Sequence, residues 1–181
     1  MRTLDKRLRY TRREMMKASG AATFGAALVV SGGMVAAPDK AWAVEAKALK
    51  PESMAALIQM ARDIYPHDRL ADRFYVSSVA AHDAKAAEDE GFKAMMEAGV
   101  DGLDLAAQGQ GAASYVALGW EIDRTDILRS IQSSAFFQTV KGNLITGIYN
   151  NPEVWPLFGY EGESASKGGY LNRGFDDIDW L

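Results

Sequence analysis

A small bundle of helices, all-α in class, is what this sequence predicts from Pro51 to Tyr149, followed by an irregular segment rich in glycine and aromatic residues. Three observations carry that expectation. Apolar residues recur at three- and four-residue steps through most of the stretch. The breaks between these runs fall at Pro66, Gly91 and Asn150-Asn151-Pro152, residues that end helices. No stretch alternates polar and apolar residues for long enough to form a strand.

The elements follow in order. Pro51 suits a first helical turn, and Met54, Leu57, Ile58, Ala61 and Ile64 share one face of the helix it opens. Pro66 ends that helix. Asp68 is placed to cap a second, with Leu70, Phe74, Ala81 and Ala84 on one face, running to Glu88-Asp89-Glu90 and breaking at Gly91. Phe92, Met96, Leu103 and Ala106 predict a third helix, weakened by Gly99 and Gly102, before a turn at Gln108-Gly109-Gln110-Gly111. A fourth is expected over 123–132 with Ile127, Leu128 and Ile131 inward, and a fifth over 134–149 with Phe137, Val140, Leu144 and Ile148 inward.

Composition bounds the function. The chain has 181 residues, of which 48% are hydrophobic and 24% charged, as in an ordinary globular protein. Its formal net charge of -4 conceals an asymmetry. Residues 1–43 hold eight Lys/Arg against three Asp/Glu, which leaves twelve against 21, net −9, in the remaining 138 residues. So acidic a domain is poorly suited to nucleic acid, because neutralising phosphates requires clustered Lys and Arg. With no cysteine there is no disulfide, thiolate metal site or cysteine nucleophile, and packing alone must hold the domain together.

Residues 1–43 read as a signal peptide. A basic region holds Arg2, Lys6, Arg7, Arg9, Arg12 and Arg13, a weakly apolar stretch spans 18–37, and Ala41-Trp42-Ala43 supplies the small–x–small pattern for cleavage after Ala43. Thr11-Arg12-Arg13-Glu14-Met15-Met16-Lys17 resembles the twin-arginine consensus, with Met in place of Phe and Leu. That route requires a twin-arginine translocase and carries folded cargo. A retained membrane anchor is the alternative, although Ser19, Gly20, Gly25, Ser31, Gly32 and Gly33 dilute a stretch that needs about 20 strongly apolar residues. Either reading places the domain at the outer face of the cytoplasmic membrane, with 44–50 as a linker, 51–149 as the helical domain and 150–181 as the irregular segment.

Catalytic machinery is sparse. His67 and His82 lie fifteen residues apart, without the spacing of a helical metal pair. Tyr65-Pro66-His67-Asp68 sets an imidazole beside a carboxylate and would serve a free-standing hydrolase or lyase; the competing reading is a junction histidine with a local hydrogen bond. His82, beside Asp83, is expected to be exposed. Asp176-Asp177-Ile178-Asp179 lacks the spacing and terminal glutamate of a calcium loop. No nucleophile elbow, phosphate loop, dinucleotide fingerprint or haem-attachment motif is present. Met54, Met60, Met95 and Met96 fall at core spacing, consistent with packing rather than metal ligation.

The last strings are more distinctive. Ser133-Ser134-Ala135-Phe136-Phe137-Gln138-Thr139-Val140 leads to Gly147-Ile148-Tyr149-Asn150-Asn151-Pro152-Glu153-Val154-Trp155. Then come Phe158-Gly159-Tyr160-Glu161-Gly162, Gly168-Gly169-Tyr170-Leu171 and Gly174-Phe175-Asp176-Asp177-Ile178-Asp179-Trp180. Together with Ile64-Tyr65-Pro66-His67-Asp68, these strings resemble the gluconate 2-dehydrogenase subunit 3 family, small twin-arginine-exported subunits of membrane-bound sugar and polyol dehydrogenases. Residues 84–123 carry nothing diagnostic.

The resemblance implies a non-catalytic subunit with no cofactor of its own. It would accompany a large FAD subunit of the glucose–methanol–choline type and, in some complexes, a cytochrome c subunit that carries haem. Flavin is inserted in the cytoplasm, so a flavin partner must cross the membrane folded, and a twin-arginine signal on this chain would carry it. Trp155, Phe158, Tyr160, Tyr170, Phe175 and Trp180 are the candidate anchors for that partner. The alternative is that these rings fold back as core.

Overall fold

The computed structural model describes residues 29–31, 34–36 and 43–171. Among them run five helices: α1 (Pro51–Ile64), α2 (Asp72–Glu88), α3 (Glu90–Gly109), α4 (Glu121–Ser130) and α5 (Ala135–Tyr149). Two 3-10 turns follow, at Trp155–Phe158 and Ala165–Lys167. The chain is mainly helical, a small all-α bundle. No helix of the described residues is long and apolar enough to cross a membrane. Arg12, Arg13, Phe175, Trp180 and the 176–179 acidic string lie outside the described residues.

A departure from the expected pattern precedes the bundle. Strands β1 (Val29–Ser31), β2 (Met34–Ala36) and β3 (Ala43–Glu45) form an antiparallel sheet in sequence order, with Val35 opposite Val44 and Ala36 opposite Ala43. Three residues are too few for alternation to register in a sequence. Val35 is fully buried within the core, and β1 and β2 lie against α1.

Helix α1 is the axis of the bundle. It touches all four other helices, and every residue from Ser53 to Ala61 is buried. A helix buried all round needs small and apolar residues on every side, and Met-Ala-Ala-Leu-Ile-Gln-Met-Ala supplies them. Burying Met54, Leu57, Ile58 and Met60 contributes about 1.5–3 kcal/mol each. Lys50 at its N-cap offers no side-chain cap. Glu97 of α3 instead accepts the Lys50 N–H at 2.8 Å and the Ser53 hydroxyl at 2.7 Å. Burial pulls the Glu97 carboxyl upward in pKa, but these bonds and the Lys50 charge more than offset it and hold it below the usual range.

Helix α2 differs most from expectation. It begins at Asp72 behind Ala71, while Asp68 sits in the preceding turn and caps nothing. Leu70 and Phe74 are buried as expected, but Ala81 and Ala84 are exposed. The inward stripe is Tyr75, Val79, His82 and Ala86, with Asp83 buried beside it. Two polar residues occupy core positions, so apolar spacing pointed to the wrong face. His82, expected outside, is 4% exposed and stacks on Phe92 with ring centres 5.8 Å apart. The break comes at Asp89 rather than Gly91: Asp89 ends α2 and caps α3, its carboxylate accepting the Phe92 N–H at 2.9 Å.

The glycines of α3 and α5 are points of close approach. A Cβ on Gly99 would overlap the ring of Phe136, and one on Gly147 would overlap the Ser78 hydroxyl. Phe136, not Phe137, leads the buried stripe of α5 through Val140, Leu144 and Ile148; Phe137 is half-buried. In α3 the stripe ends at Ala107 rather than Ala106.

The stretch 44–50, expected as a linker, is pinned to the bundle. The buried carboxylate of Asp83 accepts the backbone N–H groups of Lys47, Ala48 and Leu49 at 2.8, 3.0 and 2.8 Å. Three consecutive amides converge on one side chain, a role that no sequence spacing announces.

Candidate functional site

Two features meet where α1 hands over to α2. The first is a buried ionic network. Asp63, near the end of α1, receives a two-pronged contact from Arg124 of α4, Nε to Oδ2 at 2.8 Å and Nη2 to Oδ1 at 3.0 Å. The Tyr115 hydroxyl donates to Oδ2 at 2.7 Å and the Gln59 amide to Oδ1 at 3.1 Å. The remaining Arg124 nitrogen, Nη1, donates to the Leu118 carbonyl at 2.6 Å. All four side chains are buried.

Burial raises the Tyr115 hydroxyl above its ordinary pKa, and the Asp63 charge raises it further, so it stays a donor. Burial works against the Arg124 charge, but Asp63 more than offsets it and the pKa is raised. With every lone-pair direction of the carboxylate taken, the group acts as a strut. It ties the 110–120 loop and α4 to the central helix. Sequence reasoning missed it, because residues 59, 63, 115 and 124 share no local pattern.

Above the network opens a polar cleft of about 410 Å³, lined by Gln59, Arg62, Asp63, Pro66, His67, Asp68, Glu121 and Arg124. The Tyr75 hydroxyl holds its rim, donating to the Tyr65 carbonyl at 2.6 Å and accepting the His67 N–H at 3.2 Å. Burial raises Tyr75 in pKa. Arg62 pairs with Asp72 and lies over the Tyr75 ring. His67 and Asp68 thus line one cleft, but the imidazole does not bond locally. Its Nε2 sits 2.6 Å from the Tyr149 hydroxyl at the end of α5, the tautomer deciding which donates.

The second feature is the aromatic segment. Phe158 lies against His67 at 5.0 Å and Tyr149 at 5.6 Å between ring centres, and Trp155 stands edge-on to Tyr160 at 5.2 Å. The Trp155 indole donates to the Tyr149 carbonyl at 2.8 Å. Val154, fully buried, is the plug that seats the segment. Gly159 at φ +73° turns the chain so that the Tyr160 N–H returns to the Trp155 carbonyl at 2.9 Å.

Of the six candidate anchors, Trp155 and Tyr160 touch each other, Phe158 lies on His67 and Tyr149, Tyr170 is on the surface, and Phe175 and Trp180 lie outside the described residues. Trp155 is half-buried; Phe158, Tyr160 and Tyr170 are 47, 49 and 66% exposed. Leu157 and Leu171 are exposed as well, so half of the ten large apolar side chains exposed among the described residues fall within 157–171. Ala43, the residue expected before the cleavage point, lies in β3. Comparison of the chain with known protein families, curated sequences and solved structures returns no match.

Proposed function

We propose that this chain is the non-catalytic small subunit of a periplasmic FAD-dependent dehydrogenase of the glucose–methanol–choline type. Its substrate would be a sugar, sugar acid or polyol, and a cytochrome c subunit would accompany it where the complex has one. In this reading the chain assists export and assembly of the flavin subunit through a twin-arginine signal containing Arg12 and Arg13. It stays at the outer face of the cytoplasmic membrane through its partners, while FAD and haem reside in them. The strings at 64–68 and 133–180 support the family reading.

One structural observation carries the contact role. Five large apolar side chains within the short segment 157–171 are open to solvent, and the segment is seated on the bundle by Val154 and Trp155. Exposed large apolar side chains in such number on one short segment support an interaction surface, and aromatic rings dominate interface energies.

The test is co-expression with a flavin-dependent large subunit of the glucose–methanol–choline type, read as co-purification. Phe158→Ala with Tyr160→Ala, and separately deletion of 168–181, should leave the helical circular dichroism intact and abolish capture of that partner. Full capture by both variants would refute the interface. Bound flavin, bound metal or turnover by this chain alone would favour the hydrolase or lyase reading at His67 and Asp68. The export half is tested by Arg12→Lys with Arg13→Lys, which should hold the precursor in the cytoplasm, because the pair is read by geometry as well as by charge.

A further inference from the structure

A groove of about 230 Å³ opens between the end of α1 and helices α4 and α5. Ile64 and Tyr65 line it from the end of α1, Leu128 from α4 and Phe137 from α5. Three charged residues share the lining: Asp63, Arg129 and Lys141. The charge of Asp63 is met by Arg124, and that of Arg129 by Asp126 at 2.5 Å. Lys141 is half-buried and has no ion-pair partner among the described residues. One uncompensated ammonium therefore borders an apolar hollow, in a domain that carries a net −9 beyond residue 43.

Size and charge together define what the groove fits. Sites for whole small molecules run to about 300–1,000 Å³, whereas a cavity of about 150 Å³ already admits a benzene ring. The groove lies between these, the size for one large side chain carried by another chain. Its position points the same way. Tyr65 stands edge-on to Tyr149 at 5.7 Å between ring centres, and Tyr149 packs on Phe158 at 5.6 Å. Two ring contacts thus join the groove to the exposed segment 157–171, so a partner lying on Phe158 comes within reach of it. An acidic domain repels acidic groups elsewhere on its surface, and Lys141 marks a place where a carboxylate is favoured instead.

We propose that the groove receives one aromatic side chain of the flavin subunit together with a neighbouring carboxylate, the ring against Tyr65, Leu128 and Phe137 and the carboxylate on Lys141. The inference rests on the contact role proposed above and gives that contact a second, concave half. Its first test is capture of a co-expressed flavin-dependent large subunit of the glucose–methanol–choline type. Lys141→Glu should keep the helical circular dichroism and weaken capture about tenfold or more, the factor that corresponds to 1.4 kcal/mol. Lys141→Gln, which keeps the length and drops the charge, should lose less in the same direction. Undiminished capture by both variants, beside loss in Phe158→Ala with Tyr160→Ala, overturns the groove and leaves the contact role standing. A wild-type chain that captures no such subunit overturns the contact role and this inference with it.

A second test needs no partner. The full chain is titrated with N-acetyl-Asp-Phe-amide and, separately, N-acetyl-Lys-Phe-amide, and followed by nuclear magnetic resonance. The acidic dipeptide should shift the signals of Leu128, Phe137 and Lys141 and bind about tenfold or more tightly than the basic one. Equal affinities, or no shift at these residues with either dipeptide at roughly 10 mM, where a millimolar site would be filled, would refute the proposal. Binding that appears only after residues 172–181 are removed assigns the groove to this chain's own end. A dimer that Lys141→Glu separates assigns it to a second copy. Either outcome overturns the flavin subunit as the occupant.

Discussion

Replacing Arg124 by Met tests the buried network at its centre. The substitution removes two of the four hydrogen bonds that Asp63 accepts and the donor that satisfies the Leu118 carbonyl. Met fills the volume, so the loss is electrostatic rather than a cavity. Breaking a buried pair from one side costs about 3–5 kcal/mol, because the surviving carboxylate stays in the interior without its counter-charge. A domain of this size has about 5–15 kcal/mol to lose. With a urea dependence of about 2 kcal/mol per molar, the unfolding midpoint should fall by roughly 2 M. The double variant Asp63→Leu, Arg124→Met removes both charges and should be more stable than Arg124→Met alone, a coupling of several kcal/mol. Arg129→Met is the control: Arg129 and Asp126 are paired at 2.5 Å but mostly exposed, so its cost should stay near 0.5 kcal/mol. An Arg124→Met variant within about 1 kcal/mol of wild type, or strictly additive singles, would refute the strut.

Three further outcomes are expected. Burial, and secondarily Lys85, depresses His82 to about 4 from an ordinary value near 6.5. The unfolded chain therefore binds the extra proton first, and stability should decline as pH falls from 6.5 to 4, by on the order of 3 kcal/mol at the acid end. His82→Leu should flatten that part of the stability–pH curve. Asp83→Asn should destabilise the domain by about 1–3 kcal/mol, because an amide oxygen cannot replace a carboxylate for three convergent N–H groups, and hydrogen exchange at 47–49 should quicken. Gly99→Ala and Gly102→Ala should differ in sign. The first drives a methyl into the Phe136 ring and should cost ~1–3 kcal/mol, while the second meets open space and should gain up to ~1 kcal/mol of helix propensity. Thermal melts read both.

The helices were legible wherever their inward residues are apolar. Phe92, Met96 and Leu103, or Val140, Leu144 and Ile148, carry their own phase, and the turns at Pro66 and Asn150-Asn151-Pro152 mark the ends. Legibility failed where polar groups take core positions. His82 and Asp83 sit inside because each meets a distant partner: Phe92 offers a ring, and the 47–49 strap offers three amides. Gly99 reads as a weak point in a helix when taken alone. Its value lies in what is absent, a Cβ that would exclude Phe136 thirty-seven residues on. At the site, the string Tyr65-Pro66-His67-Asp68 did mark a real junction, but its chemistry is set by Tyr149 and Phe158, which only the fold brings near.

The distribution of polar work across the molecule bears on the function proposed for it. Asp63 is filled by Arg124, Tyr115 and Gln59; Asp83 is filled by the strap; Glu97 is filled by Lys50 and Ser53. Each of these three carboxylates joins elements far apart in the chain, and each would lose its partners if it turned toward a substrate. His67 is bound in the same way to Tyr149. Apolar side chains show the opposite pattern, since Leu157, Phe158, Tyr160, Tyr170 and Leu171 are all about half or more exposed. That exposed segment is what supports the contact role proposed above, and the Phe158→Ala, Tyr160→Ala variant tests it.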